Sequence, residues 1–130
     1  MAEVRYYSRS GNTKALASAI AEGAGTKAIS VDEEGALLTE KTDVLFIGGA
    51  LYAYGLDKHL SGYIEKLDPG KVERAVVSST SWISKHALDL IKKALRAKGI
   101  TVEERTFYAK NAPTEEQLKA AKDFAGGFTA

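Results

Sequence analysis

Short apolar runs alternate along this chain with longer stretches in which apolar residues recur every three or four positions. A short run bounded by polar or glycine-rich residues is typical of a buried strand, whereas the longer spacing is typical of a helix with one buried face. The runs predict five strands, at residues 4–7, 28–31, 44–47, 75–77 and 100–108.

Four helices are predicted from the second pattern. Their apolar stripes are formed by Leu16, Ala17, Ile20 and Ala21; by Leu56, Leu60, Tyr63, Ile64 and Leu67; by Leu88, Ile91 and Leu95; and by Leu118, Ala121, Phe124 and Ala125. We expect Gly23 and Gly25 to end the first helix, residues 68–70 the second and Gly99 the third. Residues 114–117 have the spacing of a capping box and are expected to begin the last helix.

Strands that alternate with helices predict βαβ units, and therefore a parallel sheet with right-handed crossovers and helices on both faces. The predicted fold class is α/β, a three-layer doubly wound fold. Between the second and third strands little room remains for a helix. No fixed repeat or linker divides the chain, so residues 1–130 are expected to form a single domain.

Composition narrows the classes of function. The net charge of +1, from 18 basic and 17 acidic side chains, does not favour nucleic acid or an anionic membrane as a partner. No apolar run approaches the roughly 18 residues of a membrane span, and no export signal is recognisable, so we expect a cytoplasmic protein. The absence of cysteine excludes thiol redox chemistry, so any redox chemistry requires a bound organic cofactor.

The loop after the first predicted strand is the strongest candidate for a ligand site. It consists of Ser8, Arg9, Ser10, Gly11, Asn12 and Thr13. Hydroxyl and amide groups at the N-terminus of a helix, with a glycine that lets the backbone approach closely, suit a dianionic phosphate. A capped turn between strand and helix is the alternative for such a loop. Neither a G-x-x-x-x-G-K-[ST] nor a G-x-G-x-x-G motif is present.

The same loop resembles the flavodoxin phosphate loop, [ST]-x-[ST]-G-x-[ST], in the position after the first strand. Two further segments, after the third and fourth strands, resemble the flavin loops of that family. They consist of Ala50, Leu51, Tyr52, Ala53, Tyr54 and Gly55, and of Ser79, Thr80, Ser81 and Trp82. The resemblance implies a five-stranded parallel sheet in the order 2-1-3-4-5 with FMN at the carboxyl ends of the strands.

Three aromatic residues are expected in these loops rather than on a helical stripe. The resemblance implies that two of the three, Tyr52, Tyr54 and Trp82, stack on the flavin ring, while packing over the ends of the sheet is the alternative. The resemblance also implies that Gly55 allows a peptide to reorient toward the flavin N5, although a turn before a helix explains this glycine equally.

The charge around these loops departs from the family pattern. Typical flavodoxins are strongly acidic, whereas Lys58, His59, Lys85 and His86 are opposed here by Asp57 alone. We therefore predict a less negative hydroquinone couple than acidic flavodoxins have; solvated helix-surface charges are the alternative. Arg9 is expected either to pair with the phosphate or to point to solvent.

The sequence-based hypothesis is a monomeric FMN-binding electron carrier with transient redox protein partners. An FMN-dependent oxidoreductase that acts on a quinone or a similar small molecule is the alternative. A flavin-free receiver-like signalling module is disfavoured because the acidic residues it needs after the first and third strands are missing. We predict no catalytic side chain and no metal site.

Overall fold

The computed structural model describes residues 1–52, 55–80 and 85–129, and the side chains of Leu51 and Tyr52 are not described. Its strands are β1 (Ala2–Tyr6), β2 (Ala28–Ser30), β3 (Thr42–Gly49), β4 (Leu51–Tyr52), β5 (Gly55–Leu56), β6 (Val72–Ser79) and β7 (Phe107–Tyr108). Five of them form a parallel sheet in the order β2-β1-β3-β6-β7, and β4 pairs with β5 in a separate antiparallel hairpin. Counted along the main sheet alone, this is the order 2-1-3-4-5, which confirms the prediction.

Helices cover both faces of the sheet. They are α1 (Asn12–Ala24), α2 (Lys58–Lys66), α3 (His86–Ala97) and α4 (Glu115–Thr129). Because successive residues of a strand point to opposite faces, β3 and β6 contribute to two separate cores. One core contains α2 and α3, the other contains α1 and α4, and the fold is the predicted three-layer α/β sandwich.

The predicted strands and helices are present, several strand bounds are shifted by up to three residues, and three differences are more substantial. Gly23, predicted with Gly25 to end the first helix, lies inside α1, and Gly25 alone ends it in the left-handed conformation. Helix α2 begins only at Lys58, because Leu56 belongs to β5 and Asp57 caps the helix. The fifth strand of the main sheet is limited to β7, and Val102 makes an isolated bridge to β6.

The chain that leads into β7 carries charged residues at the edge of the sheet. Glu103 forms an ion pair with Arg74, and Glu104 forms one with Arg96. The backbone N–H of Glu103 still donates to the Ala75 carbonyl of β6, and pairing with β6 resumes at β7.

The chain between β2 and β3 contains no helix, as predicted, and a buried polar contact holds it against the core. The Ala36 carbonyl accepts a hydrogen bond from Arg5 Nε at 2.7 Å and another from the Tyr63 hydroxyl at 2.5 Å. Burial raises the pKa of Tyr63. Arg5 is itself buried, so this contact fixes the connection from inside the protein.

Candidate functional site

The loops that follow the parallel strands meet at one edge of the sheet. The register aligns Tyr6 with Gly48 and Gly48 with Ser78, so β1, β3 and β6 end side by side. Asn12, at the start of α1, donates through Nδ2 to Asn111 Oδ1 at 3.3 Å, which connects the first loop to the loop after β7. This is the edge where ligands bind in doubly wound folds.

The loop after β1 is folded around its own serines. The backbone N–H of Gly11 donates to Ser8 Oγ at 2.9 Å, and that of Asn12 donates to Ser10 Oγ at 3.4 Å. Gly11 adopts φ 94°, a left-handed conformation that glycine takes without strain. Ser10 and Gly11 are exposed, so the loop presents hydroxyls and glycine backbone to solvent.

The N-terminus of α1 differs from those of α2 and α4. Asp57 caps α2 through its side chain, and Thr114 and Gln117 form the predicted capping box of α4, with hydrogen bonds of 2.9 and 3.2 Å. Gly11 occupies the capping position of α1 and offers no side-chain acceptor. The Asn12 N–H donates to Ser10 Oγ, but no side chain caps the N–H groups that follow it in the first turn of α1. Those donors are left for an external acceptor, and the helix dipole favours an anion there.

Thr13 and Thr80 lie just beneath this loop. Both are buried, and their hydroxyl oxygens are 2.6 Å apart, which connects the start of α1 to the end of β6. Ser79, which the sequence analysis assigns to the second flavin loop, is the last residue of β6 and is fully buried.

The segment after β3 forms the β4–β5 hairpin. Leu51 pairs with Leu56 and Tyr52 with Gly55, so the backbone on both sides of the turn is defined. Ala53, Tyr54, Ser81 and Trp82 lie outside the described residues. Stacking by Tyr54 or Trp82, and by the side chain of Tyr52, stays a prediction, as does the peptide reorientation at Gly55.

A cluster around Asp57 was not predicted. Arg9 donates to Asp57 Oδ2 through Nε at 2.9 Å and through Nη2 at 2.6 Å. The backbone N–H of His59 and its ring Nδ1 both lie 2.8 Å from Asp57 Oδ1. Arg9, expected to meet phosphate or solvent, thus pairs with a carboxylate, and Asp57 does not stand as an exposed negative charge. The one signal in the sequence for this site is that Asp57 lies near the start of a helical stripe, where an aspartate indicates an N-cap.

Two opposing effects act on the ionisation of Asp57. Burial favours the neutral acid, but hydrogen bonds from the backbone and ring of His59 and from Arg9 outweigh it and lower the pKa of this carboxyl. A lowered pKa means that the stabilisation from the ion pair is complete above the unfolded value of about 4. It is lost only as the pH falls through the lower, folded value.

The described residues contain no helix long and apolar enough to cross a membrane. Within the same residues no group of three or more His, Cys, Asp or Glu side chains could hold a metal ion.

Solved structures share this architecture. A flavodoxin from the domain Archaea matches with a TM-score of 0.85 and 23% identity, over 98% of this chain and 95% of that chain. Flavodoxin 1 from Bacillus cereus matches with a TM-score of 0.76 and 20% identity, over 98% and 95% of the two chains. Rubredoxin oxygen:oxidoreductase from Desulfovibrio gigas matches with a TM-score of 0.83 and 14% identity, over 98% of this chain but 35% of that chain. No protein-family model and no curated protein matches the sequence.

The fold defines a doubly wound α/β protein whose strand-end loops meet at one edge of the sheet. More particularly, the chain has a flavodoxin-like fold over nearly its whole length.

Proposed function

We propose that this chain binds FMN noncovalently at the strand-end loops and carries electrons between redox partners. The observation that carries the proposal is the glycine-capped N-terminus of α1, which leaves backbone donors beside two serine hydroxyls. Such a donor set fits a phosphate dianion. FMN supplies the redox chemistry when it is bound.

Different loops of the site would bind different parts of FMN. Ser8, Ser10 and the first-turn amides of α1 would hold the phosphate. Thr13 and Thr80 would support the loop from below through their mutual hydrogen bond. The hairpin after β3 and the loop after β6 would flank the flavin ring.

A comparison of FMN with riboflavin tests the phosphate site. We expect wild-type protein to quench FMN fluorescence at micromolar concentration and to bind riboflavin at least 100-fold more weakly, because riboflavin lacks the phosphate. Ser10→Ala should weaken FMN binding by about 10-fold, the effect of one hydrogen bond to a charged group. Ser18→Ala, which removes an exposed hydroxyl further along α1, is the matched control and should leave both affinities unchanged. Equal affinity for the two flavins would contradict the proposal.

Turnover separates a carrier from the alternative oxidoreductase. A carrier should pass electrons to protein acceptors, and the rate at which a quinone reoxidises it should not saturate as the quinone concentration rises. Saturable reduction of a quinone by the reduced holoprotein would identify an oxidoreductase instead.

The surrounding charge should tune the reduction potential. Lys58 begins α2, Lys85 precedes α3, and both are exposed. At roughly 12 Å and an effective dielectric constant of about 40, one unit charge changes the stability of an added electron by about 0.7 kcal/mol. Lys58→Glu or Lys85→Glu changes the local charge by two units, or about 1.4 kcal/mol for one added electron. Each substitution should therefore lower the flavin midpoint potential by about 60 mV.

Spectroelectrochemical titration measures this shift. Lys41→Glu is the control, because Lys41 is exposed beside the start of β3, at the opposite edge of the sheet. Equal shifts in all three variants would argue against local electrostatic tuning.

A further inference from the structure

The guanidinium of Arg9 is the most unexpected group at the site. Arg9 lies between the two serines of the loop, yet two of its nitrogens, Nε and Nη2, donate to one oxygen of Asp57, at 2.9 and 2.6 Å. Asp57 is 48 positions away in the chain, directly after the β4–β5 hairpin. The ion pair therefore joins the candidate phosphate loop to the start of α2, just after the candidate flavin loop.

The side chain of Asp57 is held in place by burial and by hydrogen bonds. Its side chain is 4% exposed, against 57% for Arg9. Its second oxygen accepts from the backbone N–H of His59 and lies 2.8 Å from His59 Nδ1, and the first of these bonds caps α2. Movement of the carboxylate toward a ligand would break the helix cap. The carboxylate is therefore fixed in place, and it fixes the position of the Arg9 guanidinium.

A second contact holds the same loop from its other side. The rings of Tyr7 and His59 are stacked with their centroids 4.5 Å apart and their planes 10° apart. Tyr7 and Arg9 flank Ser8, so the residues on both sides of that serine are held against the start of α2.

We infer that the Arg9–Asp57 ion pair acts as a clasp that holds the loop in the conformation that accepts phosphate, and that Arg9 is a positioning residue rather than a phosphate ligand. The inference rests on the proposed function, because the phosphate is that of FMN. Preorganisation of this kind contributes to affinity by reducing the ordering that binding requires. It acts only on ligands that carry the phosphate.

Asp57→Asn is the decisive variant. Asparagine offers Arg9 and His59 one acceptor oxygen in place of two and no negative charge. The clasp predicts FMN binding about 10-fold weaker, with riboflavin binding changed by less than about 2-fold. A direct contact between Arg9 and phosphate predicts the opposite, because the variant frees a cation and removes a nearby anion. FMN binding that is unchanged or tighter would overturn the inference, as would equal losses for the two flavins.

A double-mutant cycle separates the two roles of Arg9. Arg9→Met should weaken FMN binding by about 10-fold in the wild-type background and by less than about 2-fold in the Asp57→Asn background, because the interaction is already lost there. Independent losses in the two backgrounds would assign Arg9 to the phosphate directly. Arg96→Met, which removes an exposed arginine of α3 from its ion pair with Glu104, is the control and should have no effect.

A second variant and a second measurement complete the test. Asp57→Ser also removes the carboxylate but retains a capping side chain for α2, so it should show the same loss of FMN affinity, about 10-fold, and it replaces Asp57→Asn if the asparagine variant does not fold. Amide hydrogen exchange at Gly11 and Asn12 in flavin-free protein should become about 10-fold faster in either variant, and unchanged exchange would overturn the clasp without reference to flavin. Failure of the wild-type protein to bind FMN would instead defeat the proposed function.

Discussion

Replacement of Gly23 by alanine is expected to lower the free energy of unfolding by about 2–4 kcal/mol, although alanine is the better helix former. Gly23 lies inside α1 where that helix crosses α4. A Cβ atom at this position would be 2.1 Å from the carbonyl oxygen of Lys122 and 2.8 Å from its Cα. These are backbone atoms, so the helices must separate. Separation opens the core around the fully buried residues Ala121 and Ala125.

Two matched variants isolate the steric cause. At Gly126, on the other helix of the same crossing, an added Cβ would lie 3.7 Å from the Gly23 carbonyl, which is ordinary contact. At Gly62, in α2, nothing lies within 4 Å. Urea unfolding followed by circular dichroism should show Gly126→Ala unchanged or stabilised and Gly62→Ala stabilised by up to about 1 kcal/mol. A Gly23→Ala protein as stable as these two would refute the close approach of α1 and α4.

Arg5→Met combined with Tyr63→Phe is expected to destabilise the protein by more than the sum of the two single changes. Each single variant leaves the buried Ala36 carbonyl one of its two donors, whereas the double variant removes both. We expect about 1 kcal/mol for Tyr63→Phe and about 2 kcal/mol for Arg5→Met, which also loses the bond from Arg5 to the Val4 carbonyl. The unpaired carbonyl should add about 1 kcal/mol more in the double variant.

The sign of the coupling is the measurement that matters. Additive free energies from urea unfolding of the four proteins would mean that the Ala36 carbonyl finds another partner. A matched control is Lys98→Met with Tyr63→Phe, because Lys98 bonds a different carbonyl, that of Glu65. That pair should be additive.

The hydrophobic pattern predicted the order of elements because each buried face repeats with the period of its own element. The stripes of α2 and α3 are buried as predicted, and the apolar run of β3 faces both cores. The local pattern gave a wrong prediction at Gly23, which was expected to end the first helix but lies inside α1, in contact with α4. It failed again after Val102, where the pairing with β6 is interrupted and resumes only at β7.

The candidate site was also predictable from the sequence only in part. The loop from Ser8 to Thr13 was recognisable because its residues are contiguous and lie between a strand and a helix. The partner of Arg9 was not recognisable, since Asp57 lies far along the chain and its role as a helix cap gives no sign of a second contact. The short distance between Thr13 and Thr80 likewise depends on the tertiary fold, because it brings the start of α1 to the end of β6.

The sequence by itself determined the layered α/β architecture, the strand order through its resemblance to a family, and the position of the candidate phosphate loop, because these depend on local periodicity and on contiguous motifs. Only the tertiary structure decided that Arg9 pairs with a buried carboxylate, that Asp57 is shielded from the site, and that Gly23 allows two helices to touch. Those features arise from side chains that are distant in the chain and meet only when the sheet brings its strand ends and helices together.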